Sequence, residues 1–168
     1  KGEYSMLSKK LEDAINEQIK SELYSAYLYL AMAAHCEYKN FKGFANWLKI
    51  QAKEEVSHAM RLYDFVNDRG GRVVLGAINQ PPVEYQSITE IFEKVLNHEK
   101  EVTAKINHLY DLAKEENDYA LQVHLQWFIN EQVEEEKNPA EILAMLQLAG
   151  ESGNGIMMLD HELGERKD

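Results

Sequence analysis

Helix breakers are scarce in this chain, and they are grouped. Its three prolines and nine glycines concentrate at Gly70-Gly71, Pro81-Pro82 and Gly150 to Gly155, and the long stretches between them are rich in good helix formers. A chain punctuated in this way is expected to fold as an all-α protein. The predicted helices are Leu7 to Tyr38, Phe41 to Arg69, Ile88 to Glu116, Tyr119 to Ala149, and a short one from Ile156 to Glu165. The joints around Asn40 and at Asn117-Asp118 are only a couple of residues long, so each flanking pair forms an antiparallel hairpin. The middle connection, Gly70 to Ser87, is about eighteen residues with an apolar run Val73-Val74-Leu75. It is long enough to run back along the molecule, which predicts a four-helix bundle with one long crossover. The crossover needs a cover for its apolar residues, and a neighbouring subunit could supply it. The fifth helix is too short to stand alone in water, so Ile156, Met157, Leu159 and Leu163 are expected to dock.

Steps of three and four residues trace the core-facing stripe of each helix. The first reads Leu11, Ile15, Gln18, Glu22, Ala26, Tyr29, Ala33, and the second Phe44, Leu48, Gln51, Glu55, His58, Leu62, Phe65. The third reads Ile88, Phe92, Val95, Glu99, Val102, Ile106, Leu109, and the fourth Leu121, Leu125, Phe128, Gln132, Glu135, Pro139, Ile142, Leu146. Each stripe carries a glutamate near its middle. One misplaced glutamate on a helix is usually a solvated charge. Four unpaired carboxylates in one core would each cost several kcal/mol, against a total stability of roughly 5–15 kcal/mol. No Lys or Arg lies on the stripes beside them, so a bound metal is the expected compensation. Carboxylate oxygens with one imidazole suit iron, manganese or zinc, and the carboxylate excess leans towards the first two.

The remaining composition narrows the setting. A net charge of -11 and a pI near 5.0 argue against a nucleic-acid partner, which needs clustered Lys and Arg. The longest uncharged stretch, Leu23 to Cys36, is shorter than the roughly 20 residues of a spanning helix, so a soluble protein is expected. The single cysteine, Cys36, permits no internal disulfide and suits a reducing compartment, which points to the cytoplasm. It reads as a small buried apolar side chain. Lys1 to Ser5 precede Met6, which reads as a native start; they are set apart as an expression remnant or a disordered N-terminus, and residues 6–168 as one domain.

The segments Leu11 to Gln18, Glu22-Leu23-Tyr24-Ser25, Glu54-Glu55-Val56-Ser57-His58-Ala59, His98-Glu99 and Leu125 to Glu136, in this order and spacing, resemble the non-haem ferritins of bacteria and archaea from Met6 to about Glu165. The resemblance implies iron storage, with a ferroxidase centre that oxidises ferrous iron with dioxygen or peroxide. It implies that Glu22, Glu55 and His58 bind a first iron, and that Glu55 bridges to a second held by Glu99 and Glu135. Gln132 lies beside that pair. Glu54, Glu131 and Glu134 match the carboxylates of a third, weaker iron site. Tyr29 and Trp127 match central aromatic residues that supply electrons. The resemblance also implies a homo-oligomeric shell of twenty-four subunits, in which the crossover and fifth helix find cover.

Three departures from related patterns carry information. The fourth helix has Gln132-x-x-Glu135 where bacterioferritins and many di-iron oxygenases have a second Glu-x-x-His, which favours an exchangeable, ferritin-type centre. Val56 stands where haem ferritins place a methionine, so no haem is expected. Pro139 removes the backbone bond to the Glu135 carbonyl and predicts a kink one turn beyond the site. The alternatives are a peroxide reductase of the rubrerythrin kind or a manganese oxidase, against which the missing Cys-x-x-Cys module counts, and a metal-free helical scaffold. Glu115, Glu116 and Asp118 at the last hairpin could line a subunit junction through which iron enters.

Overall fold

A computed structural model describes residues 6–150 and 152–168. The expectation for residues 1–5 lies outside them. Five helices are present: α1 (Lys9–Tyr38), α2 (Lys42–Asp68), α3 (Ile88–Glu115), α4 (Tyr119–Ala149) and α5 (Gly153–Gly164). Three of the four long helices start on a local cap. The Ser8, Ser87 and Asp118 side chains accept hydrogen bonds from the backbone N–H three residues on, at 3.2, 3.0 and 2.9 Å, and satisfy donors that a helix N-terminus leaves orphaned. At the α3 start Glu90 also reaches back to accept from the Gln86 N–H, in the manner of a capping box. The two tight joints turn on asparagines in left-handed conformation, Asn40 at φ 65° and Asn117 at φ 54°, a geometry that Asn tolerates better than most residues.

The crossover sets the topology. Its early part is tied to α1: Glu12 accepts from the Arg72 N–H at 2.6 Å, and the Asn16 amide brackets the chain by bonding to the Arg72 carbonyl and the Val74 N–H. At its far end Tyr85 packs edge-on against His35, near the end of α1. The crossover thus travels the length of the bundle, and α3 runs antiparallel to α1. Two contacts close the opposite end, Ser8 to Glu116 at 2.7 Å and a two-point Arg69–Asp118 pair at 2.9 and 3.0 Å. Val73 packs into the core, whereas Val74 and Leu75 are exposed.

Apolar packing falls into two separate clusters. One gathers Leu11, Ile15, Leu62, Ile106, Leu121 and Phe128; the other gathers Met32, Phe44, Leu48, Phe92, Ile142 and Leu159. Each fully buried aliphatic or aromatic side chain contributes about 1.5–3 kcal/mol, and the two clusters together hold the bundle. The layer between them is polar.

Two sequence expectations are corrected at the C-terminal end. The fifth helix begins at Gly153 rather than Ile156, because the Ser152 hydroxyl accepts from the Gly155 N–H and turns the glycine-rich run into a helix start. Ile156, Leu159 and Leu163 dock, but Met157 is 69% exposed, since it lies off the face that α5 turns to α2 and α4. The α4 helix runs through Pro139, with the ring itself buried and Asn138 helical despite the local preference. No described helix is long and apolar enough to cross a membrane.

Candidate metal centre

The polar layer is where the four central glutamates meet. Glu55 and His58 are three residues apart on α2, as are Gln132 and Glu135 on α4, and this spacing aims both members of each pair to one side of their helix. α1 adds Glu22 and α3 adds Glu99. All six are buried, with Glu99 at 0% and Glu22 and Glu55 at 1% exposure. One ligand atom from each of Glu22, Glu55 and His58 falls within 4.8 Å of the others, and the same holds for Glu55, Glu99 and Glu135. Glu55 belongs to both groups.

Neutral donors occupy some of the carboxylate oxygens. Gln18 donates to Glu22 Oε1 at 3.0 Å. The Gln51 amide donates to Glu135 Oε2 and, at 3.4 Å, to Glu55 Oε1. The Tyr29 hydroxyl donates to Glu99 Oε1, while Gln132 donates to Glu99 Oε2 at 3.2 Å. Glu22 Oε2 and Glu55 Oε2 remain buried without a hydrogen-bond partner. Nδ1 of His58 stands 3.3 Å from Glu55 Oε2 without hydrogen-bond geometry. Two orphaned carboxyl oxygens beside an imidazole nitrogen are costly in a dry protein, and a divalent cation satisfies all three.

Electrostatics agree with that reading. Burial, followed by repulsion from neighbouring carboxylates, pushes Glu55 and Glu135 well above the usual carboxylate range. Burial also raises Glu99, with the Tyr29 and Gln132 hydrogen bonds pulling the other way. His58 is shifted down by burial, which keeps its ring neutral and a lone pair free for a metal. Burial, with the nearby Glu99 and Glu55 charges, moves the Tyr29 hydroxyl up.

The outer carboxylates are divided. Glu131 Oε1 lies 4.0 Å from His58 Nε2, and His58, Glu131 and Glu135 form a third compact group. Glu54 is not in it, and Arg166 from the chain's last residues binds it at 2.9 Å. Glu134 is exposed and belongs to none of the compact groups among the described residues. Trp127 is half-buried, edge-on to His58 at 5.3 Å, with the Arg61 guanidinium 3.7 Å over its ring. Cys36 is buried, and burial pushes its thiol up to about 12, away from reactivity.

Sequence reading missed three supports. Ser25 gives its hydroxyl hydrogen to the Ser21 carbonyl, so it accepts from His98 Nε2 at 2.7 Å. Burial holds His98 near 4, hence neutral, and its ring stands edge-on to Tyr29 at 5.8 Å. Thr103 Oγ1 bonds to Glu136 at 2.7 Å and accepts from Gln132 at 3.0 Å. Ser25, His98 and Thr103 each sit one position off the traced stripes, where the sequence signal is weakest. Arg166 carried no signal, because it meets Glu54 across 112 residues of chain.

The family model of the ferritin-like domain matches residues 12–149. A bacterial non-heme ferritin of Staphylococcus aureus is 39% identical over 161 residues, covering 96% of this chain and 97% of that protein. Its counterpart in Staphylococcus saprophyticus is 43% identical, with 96% of each covered. Among solved structures, an open pore ferritin from the archaeon Archaeoglobus fulgidus superposes with a TM-score of 0.95 at 45% identity, over 96% of this chain and 98% of that one. A form of the Archaeoglobus ferritin engineered to be closed gives the same values.

Proposed function

Since the chain belongs to the non-haem ferritins, we propose that it stores iron, oxidising the ferrous ion at its own buried carboxylate layer and delivering ferric product to the inside of an oligomeric shell. The observation that carries this reading is the pair of orphaned oxygens on Glu22 and Glu55, buried among further carboxylates and a neutral His58. Ferrous iron is the substrate. Glu22, Glu55 and His58 hold one ion, Glu99 and Glu135 hold a second, and Glu55 bridges them. Each ferrous ion gives one electron, and dioxygen with two protons becomes peroxide. The chain's part is to bring two cations close together in a dry layer and to neutralise them, which the carboxyl groups do as their protons leave. Carboxylates change between bridging and chelating modes, so the product can depart.

Gln132 orients Glu99 rather than supplying negative charge. Glu54, Glu131 and Glu134 form the third, weaker iron position, with Glu131 nearest the pair. Tyr29, bonded to Glu99, is the better placed electron donor. The guanidinium over Trp127 opposes loss of an electron from that ring. The shell contains twenty-four copies of the chain, works in the cytoplasm without haem, and covers Val74, Leu75 and the exposed face of α5.

The test is the fast oxidation of two ferrous ions per chain under air. Glu55→Ala and His58→Ala should each slow it at least tenfold while the oligomer stays intact. Unchanged initial rates in either variant would remove the assignment.

A further inference from the structure

No basic residue lies on the four core stripes, yet a cation does reach the edge of the carboxylate layer, and it comes from beyond α5. The last residues are pinned along α2. The Asn46 amide donates to the carbonyls of Leu163 and Arg166 at 3.2 and 3.1 Å, and Lys53 pairs with Asp168 at 2.7 Å. This holds the Arg166 side chain against α2, one-fifth exposed, with its guanidinium 4.7 Å over the Trp47 ring. From there it donates to the Trp47 carbonyl at 3.2 Å, to Gln51 Oε1 at 3.3 Å from both terminal nitrogens, and to Glu54 Oε1 at 2.9 Å.

Two consequences follow from these contacts. Because Gln51 Oε1 accepts from the guanidinium, its NH2 must face inward, where it bonds to Glu135 and Glu55. Glu54, the residue beside the bridging glutamate, is bonded to the guanidinium, whereas Glu131 is the outer carboxylate that joins a compact group. We infer that Arg166 is a tethered cation that competes with a third metal ion for Glu54, so that the outer position fills only when the guanidinium lets go. The inference rests on the third-site reading given above. It gives that site a physical reason to be weak, since an entering ion must replace a charge that the chain already supplies.

Zinc, which dioxygen does not oxidise, is the probe. Calorimetric titration of the assembled, metal-free full chain should show two tight zinc ions and one weak one, and Glu54→Gln should remove only the weak step. Arg166→Gln keeps an amide donor for Gln51 but loses the charge. It should tighten the weak step about fivefold, the equivalent of one partly exposed ion pair, and leave the tight steps unchanged. Arg166→Lys, which keeps the charge, should restore a weak step. Removal of that step by Glu54→Gln without any effect of Arg166→Gln would overturn the competition and leave the third site standing. Two zinc ions in every variant would overturn both. If Arg166→Gln does not assemble, a Trp127→Phe background leaves Trp47 as the sole tryptophan. Its emission should change with the third zinc equivalent, and no change there would equally overturn the proposal.

Discussion

A buried glutamate is a liability to the metal-free fold, and that liability is what makes it a ligand. Folded-state values for Glu55, Glu99 and Glu135 lie above the ordinary carboxyl value of 4.5. The folded chain therefore binds more protons than the unfolded one, and stability falls as pH rises through this range. The contribution is complete below about pH 4.5 and is lost progressively up to about 9, the raised value of Glu135. The melting temperature of the chelator-treated protein should accordingly drop from pH 5.5 to 8.5, and ferrous or zinc ions should restore it. Glu55→Gln places an amide where Oε2 has no partner. It should stabilise the metal-free form at pH 8 by about 1–3 kcal/mol, flatten the pH dependence and abolish tight metal binding. A destabilised Glu55→Gln protein at pH 8 would argue that the layer is not strained when empty.

Helix phase was legible because four long periodic stripes agree with one another, and the same phase brought Glu22, Glu55, His58, Glu99 and Glu135 into one layer. What the pattern could not supply were contacts set by tertiary reach. Glu131 stands near His58, whereas Glu54 is held by Arg166, which arrives from the far end of the chain. The start of α5 was hidden because glycines read as breakers until Ser152 is seen to cap them. Pro139 makes the opposite point: a proline that forfeits about 3 kcal/mol of helix is tolerated because its ring is buried. Pro139→Ala regains that helix term and loses about two methylenes of burial, near 1.6 kcal/mol. A modest rise in melting temperature, about 1 kcal/mol of stability, is expected. Gly43 is less forgiving. A Cβ there would sit 1.5 Å from the Asp160 carbonyl oxygen, and Asp160 caps α2 by accepting from the Gly43 and Phe44 N–H groups at 2.9 and 3.0 Å. Gly43→Ala should dislodge α5 and cost several kcal/mol, read as a lower melting temperature and faster proteolysis near Gly150.

At the scale of the molecule, the fold divides labour between two apolar clusters that hold the bundle and one polar layer that does chemistry at their expense. The crossover and α5 leave apolar residues exposed, Val74, Leu75, Met157 and Met158 among them, and these are the surfaces that the proposed shell would cover. The central claim, that this layer feeds iron to a store, is tested most directly by loading. Ferrous iron is added under air at several hundred ions per shell, and the iron that stays with the protein is measured after size separation. Particles of about half a megadalton, twenty-four chains of 19.4 kDa, should retain most of the iron in the wild type and far less in Glu55→Ala over the same minutes. Iron limited to two or three ions per chain, or an equal load in Glu55→Ala, would contradict the account.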